Sequence, residues 1–162
     1  MESGWEFDLL RDVRDALVGT GLNDFAKGRG TRSYHLAVMS EPYLGWILDG
    51  TKRVESRFSR YRIAPYEQVA REDVLLFKRV SGPIVGVGRV AKCQFLEVDR
   101  TAIRRLRNDF SERLRASDPA FWRCRSSARY VSLIWVTDVY PLSPVRCSKK
   151  DRRPWVVLSE PL

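Results

Sequence analysis

SEPYLGWILDGTKRVESRFSRYR, residues 40–62, is the stretch whose reading decides the fold. Its first half reads as a short helix. Ser40 is placed as the N-cap, Pro42 lies in the first turn, and Tyr43, Ile47 and Trp46 would face inward. Gly50 ends the helix and lets the chain reverse, which puts Lys52 at the mouth of a strand running from Arg53 to Phe58. Strand alternation then places Arg53, Glu55 and Arg57 on one face and Lys52, Val54, Ser56 and Phe58 on the other. Glu55, flanked by cations at i±2, is expected to stay ionised. A fixed carboxylate beside fixed cations can read a base edge: it accepts from an exocyclic amine while an arginine binds a phosphate or carbonyl oxygen. A structural salt bridge that closes a barrel is the competing reading of the same residues. Lys52, with Thr51 alongside, favours a site, because a lysine at a strand mouth is expected to have little structural work.

On the N-terminal side, residues 5–18 read as an amphipathic helix, with Trp5, Leu9, Val13 and Leu17 spaced close to four apart. The glycines at 19, 21, 28 and 30 then break regular structure, so Gly19–Arg32 reads as a flexible polar connector. The apolar run His35–Met39 predicts a strand. On the C-terminal side, Asp73–Val80 and the valine-rich stretch Pro83–Val98 predict two more. Gly86 and Gly88 share one face of the second, and their spacing suggests close approach by backbone or ligand, or a bend. Ile103, Leu106, Phe110 and Leu114 form the apolar stripe of a helix over 100–115, with arginines projecting elsewhere. A further turn is expected at Asp118–Cys124, capped by Asp118, and then strands at Tyr130–Val139 and Trp155–Leu158. Few βαβ alternations argue for an α+β domain built on a mixed, barrel-like sheet.

The 162 residues allow one domain with a real core. No run approaches the roughly 20 apolar residues of a membrane span, and the acidic opening MESGWEFD does not resemble a secretory signal, so a soluble, cytoplasmic protein is expected. Cys93, Cys124 and Cys147 are scattered and His35 is the single histidine, which predicts no metal site and no cofactor. His35 reads as an ordinary strand-edge residue rather than a catalytic base. The formal net charge is +9, which attracts polyanions through counterion release. The excess is uneven: residues 100–129 hold nine arginines and three acids, and residues 146–153 hold five bases and one acid. A basic face is expected, with the acidic first helix outside it.

Gly50-Thr51-Lys52-Arg53-Val54-Glu55-Ser56-Arg57 resembles the G-x-K-x-x-E-x-R signature of ASCH domains (activating-signal-cointegrator homology, PUA-like superfamily). Asp73–Phe77 resembles that family's GD-x-φ-x-F strand, with Glu72 in the glycine's place, and Val85–Val90 its φ-G-x-φ-x-V strand. The resemblance covers roughly residues 34–158. It implies a PUA-like mixed β-barrel with flanking helices, one of them long and Arg-rich. Residues 1–33 would form an N-terminal helix and connector, and 34–162 the ASCH/PUA-like domain.

It also implies binding of RNA, single-stranded nucleic acid or a modified base or nucleoside. The expected contacts are Thr51, Lys52, Glu55 and Arg57 in the cleft and Lys149, Lys150, Arg152 and Arg153 on its rim. Of the aromatic residues, Tyr61 and Trp155 are the candidates for base stacking. The alternative is a hydrolase with Lys52 and Glu55 as catalytic residues, either a ribonuclease or an amidohydrolase of acetylated cytidine. The amidohydrolases resembled here carry a threonine where this chain has Glu55. A carboxylate there is expected to hold Lys52 protonated and suppress that reaction. A third reading gives residues 5–18 to a partner, although their acidity suits docking on the chain's own basic body.

Overall fold

The computed structural model describes residues 4–26 and 33–158. In chain order the elements are α1 (Gly4–Gly19), α2 (Asn23–Ala26), β1 (Tyr34–Met39), α3 (Tyr43–Leu48), β2 (Val54–Ser59) and β3 (Val74–Arg79). They continue with β4 (Ile84–Glu97), α4 (Arg100–Phe110), α5 (Pro119–Arg123), β5 (Tyr130–Val145) and β6 (Trp155–Leu158). The strands form one six-stranded sheet in the order β2-β5-β4-β3-β1-β6. Only β1 and β3 run parallel; the other neighbours are antiparallel. The fold is α+β, a sheet curled into a half-barrel with helices packed around it.

Strand alternation sorts the apolar side chains into layers. Ala37, Leu75, Phe77, Ile134 and Trp155 face inward and are sealed by Leu44 and Ile47 of α3. Their neighbours Leu36, Val74 and Leu76 face outward and are covered by Leu9, Leu10, Val13 and Leu17 of α1. Val54, Val131 and Leu133 face outward at the other end, under Ile103 and Leu106 of α4 and Phe121 and Trp122 of α5. The helix expected at residues 5–18 is thus built into the core. Each of its four buried side chains contributes about 1.5–3 kcal/mol.

Several boundaries differ from expectation for physical reasons. Residues 23–26 form α2 inside the expected connector; positions 27–32 of that connector lie outside the described residues. Ser40 is not a side-chain cap. Its carbonyl accepts from Leu44, Pro42 occupies the N-cap, and the Glu41 carboxylate takes the Gly45 N–H. The Arg-rich helix stops at Phe110, and its stripe continues to the buried Leu114 through turns. β5 runs on to Val145 despite Pro141 and Pro144, since β4 is there to pair with it and register shifts absorb the missing N–H groups. Asp118 caps α5 through the Ala120 N–H, as its position predicts.

Candidate functional site

Gly50 adopts φ +82°, a left-handed conformation that suits glycine, and turns the chain out of α3 toward β2. The Lys52 N–H closes this turn on the Trp46 carbonyl at 2.9 Å. β2 begins only at Val54, so strand alternation does not govern Lys52. Its side chain comes round to the same cavity as Glu55 and Arg57, correcting the expectation that it lies on the opposite face. Val54 and Phe58 pack under α5 as alternation requires, while Glu55, paired with Ile134, points to the inner side.

Because the sheet is open, β2 is a free edge facing the end of β1 and the start of β6. Arg57 bridges this seam. Its Nη2 donates to the Val38 carbonyl at 2.9 Å and its Nη1 to the Pro154 carbonyl at 3.2 Å, with the guanidinium over the Trp155 ring at 5.1 Å. Beside the bridge lies a cavity of about 240 Å³, walled by Tyr43, Phe58, Phe121 and Arg125 and floored by Lys52, Glu55 and Arg57. The Arg125 guanidinium stacks on Phe121 at 3.6 Å and donates to that residue's carbonyl.

The three motif residues are not equivalent. Lys52 is 3% exposed, and its Nζ donates to the Val54 carbonyl at 2.7 Å and the Leu114 carbonyl at 3.0 Å, which ties β2 to the turn after α4. Lys52 therefore does have structural work. Glu55 is 8% exposed; its Oε1 faces Arg57 Nε at 3.3 Å, and its Oε2 lies 3.9 Å from Lys52 Nζ. That Oε2 is buried and has no hydrogen-bond partner among the described residues. Burial pushes the Lys52 amine below the ordinary lysine range. Glu55 opposes that shift, and Arg57 and Arg125 add to it. Desolvation outweighs the carboxylate, so the expectation that Glu55 holds Lys52 protonated does not give the net direction.

The remaining candidates are dispersed. Thr51 is exposed, and both its N–H and its hydroxyl are held by Asp49 Oδ1. Tyr61 is 70% exposed, on the loop after β2. Trp155 is 2% exposed, so stacking on a surface base is closed to it. In the loop before β6, Lys149 and Arg153 both fold onto Asp151, holding its carboxyl well below the usual range, and Arg153 also reaches Glu6 of α1 at 3.8 Å. Lys150 and Arg152 are exposed and make no ion pair among the described residues. This loop meets the cavity through Pro154.

Sequence reasoning missed Arg125 and Phe121, which only the packing of α5 against β2 brings to the cavity; their i, i+4 spacing inside the arginine-rich segment was the available signal. The expectation of an ordinary strand-edge histidine at His35 is also corrected. That residue is fully buried: Trp155 Nε1–H donates to its Nδ1 at 3.0 Å, and its Nε2 meets Asp73 Oδ2 at 2.8 Å. Asp73 also accepts the Ala70 and Ser33 N–H groups, so the chain Trp155–His35–Asp73 pins β6, β1 and the start of β3. Gly86 and Gly88 admit side chains rather than a ligand: a Cβ on Gly86 would lie 2.4 Å from Leu48, and one on Gly88 3.0 Å from the Phe77 ring. Among the described residues no group of three or more His, Cys, Asp or Glu side chains could hold a metal, and no helix is long and apolar enough to cross a membrane.

No protein-family model matches the chain, and no curated protein matches it in sequence. Solved structures do. An ASCH protein from Zymomonas mobilis superposes with a TM-score of 0.55 at 13% identity, over 69% of this chain and 72% of that one. A tyrosine-to-phenylalanine variant of the same protein gives 0.56 at 14% identity, over 70% and 76%. At this identity the likeness establishes the fold: the chain has the ASCH-type, PUA-like architecture.

Proposed function

We propose that this ASCH-fold chain binds single-stranded nucleic acid, RNA in the first instance, by taking one base or modified base into the seam cavity. The observation that carries the reading is Glu55 Oε2, a buried acceptor with no hydrogen-bond donor among the described residues, in a cavity with aromatic walls. Such an atom is costly to leave unpaired, and an exocyclic amine or ring N–H of a base supplies the missing donor. Arg125 and the exposed edge of Arg57 supply cations for a carbonyl or phosphate oxygen. The half-buried Tyr43 lines the cavity as an aromatic contact, and the loop carrying Lys150 and Arg152 lies beyond Pro154 for the backbone. The cavity is smaller than the roughly 300–1,000 Å³ of cofactor-sized pockets, which suits a single base.

The test is a fluorescence-anisotropy titration of the full chain with short homopolymeric strands at about 50 mM salt, where phosphate contacts count most. Binding with a base preference that changes in Glu55→Gln supports the cavity, since the amide presents a donor where the carboxylate could only accept. Absence of binding to every strand refutes the proposal.

The lowered pKa of Lys52 favours a second reading, hydrolysis of acetylated cytidine or of RNA, since desolvation makes the neutral amine more accessible than on a surface lysine. Against it, Lys52 Nζ already donates to two carbonyls, which stabilise the ammonium. Turnover of acetylated cytidine or labelled RNA that is lost in Lys52→Gln would make the chain a hydrolase.

A further inference from the structure

α5 and the turn that follows it form a thin wall with a different surface on each side. Phe121 and Arg125 face the seam cavity, while Trp122, Arg123 and Ser126 line a second groove, of about 350 Å³, shared with α4. Consecutive helical residues point about 100° apart, so Phe121 and Trp122 open on different sides of one helical element about 10–12 Å wide. The floor of the second groove is apolar, formed by Ile103 and Trp122, and its walls are Arg100, Arg104, Arg107 and Arg123. The three α4 arginines recur at i, i+4 and i+7 and so share one face. All four are exposed, none has an ion-pair partner among the described residues, and no acidic side chain lines the groove. The arrangement is unfavourable in isolation. Like charges four apart on a helix repel, as Arg100 and Arg104 do here.

We infer that this groove is a second, phosphate-binding track for the backbone of a single-stranded nucleic acid whose base occupies the seam cavity. The inference rests on the nucleic-acid reading of that cavity and adds to it a direction: the strand leaves the seam over α5 and runs along the arginine face of α4. Guanidinium groups repeated along one face match a repeating phosphate chain, which each binds in its planar fork. The buried floor offers no stacking platform, as Trp122 is 4% exposed with its indole N–H given to the Ala116 carbonyl. The track therefore contributes affinity and salt dependence but no base preference.

The experiment compares the wild-type full chain with a variant carrying Arg100→Gln, Arg104→Gln, Arg107→Gln and Arg123→Gln. Circular dichroism checks its fold, which exposed substitutions should preserve. Both are titrated with labelled strands of about 12 nucleotides over a range of salt, with polyglutamate as competitor. The variant should bind about 10- to 100-fold more weakly near 100 mM salt. Its slope of log affinity against log salt should be shallower by roughly 3, four phosphates at about 0.7 each, with the order of base preference unchanged. Equal affinity and slope in the two proteins overturn the track and leave the cavity reading standing. A wild type that binds no strand overturns both. Displacement of the strand from wild type, but not from the variant, by polyglutamate as effectively as by unlabelled strand would assign the groove to an acidic protein and overturn the nucleic-acid assignment.

Discussion

Arg57 and Asp73 are the residues on which the seam and its surroundings depend most directly. Arg57 holds two carbonyls across the open side of the sheet and faces Glu55. Arg57→Ala should cost about 3–5 kcal/mol, since it breaks the bridge and leaves a buried carboxylate without that partner. Chemical denaturation measures this, and a loss below about 1 kcal/mol would mean that Arg57 serves the ligand alone. For Asp73, burial alone would raise the pKa, but the hydrogen bonds from His35, Ala70 and Ser33 together with the attraction of His35 bring it below the ordinary value. A carboxylate with a depressed folded-state pKa contributes stability that is complete above its unfolded value, about 3.9, and lost as pH falls through the folded one. The melting temperature should therefore drop on acidification below about pH 4, and Asp73→Asn should flatten part of that drop while lowering the plateau at neutral pH.

At the scale of elements, the close fit of β4 to its neighbours replaces any ligand approach at the glycine pair. Gly88→Ala should destabilise the protein by about 1–3 kcal/mol, because the Phe77 ring it would press on is fully buried and flanked by packed side chains. Gly86→Ala should cost a similar amount, since the new methyl would displace the Leu48 methyl at 2.4 Å and also press on the Tyr140 carbonyl at 3.3 Å. α1 offers a different test. Leu17 is fully buried in the outer core, so Leu17→Ala should cost about 2–5 kcal/mol and shift a single unfolding transition. A separate early transition would instead show α1 melting off an intact barrel.

For the whole molecule, +9 of net charge is distributed so that the acidic α1 and the arginine-bearing α4 and α5 pack on different parts of the sheet. Nucleic-acid affinity should fall steeply as salt rises from about 50 to 200 mM. Affinity that survives high salt would mean that the cavity, not the arginine surface, supplies most of the binding.

Much of this was legible in the sequence because it is local. The apolar periodicities of α1 and α4, the glycine reversal at Gly50, the Asp118 cap, the alternation along β2 and the excess of arginine each depend on residues a few positions apart. With the motif at residues 50–57, they were enough to predict an α+β, barrel-like domain. What local pattern cannot carry is which distant groups satisfy one another. Lys52 is tied to Leu114, Arg57 to Val38 and Pro154, and His35 to Trp155 and Asp73, all across the fold. Burial likewise reversed the expected net direction for Lys52, since desolvation depends on everything packed around a charge rather than on its sequence neighbours. The sequence could propose Lys52, Glu55 and Arg57 as a group. Only the tertiary structure separated Arg57, which closes the seam on backbone carbonyls, and Lys52, which ties β2 to the turn after α4, from Glu55, whose Oε2 has no hydrogen-bond partner among the described residues.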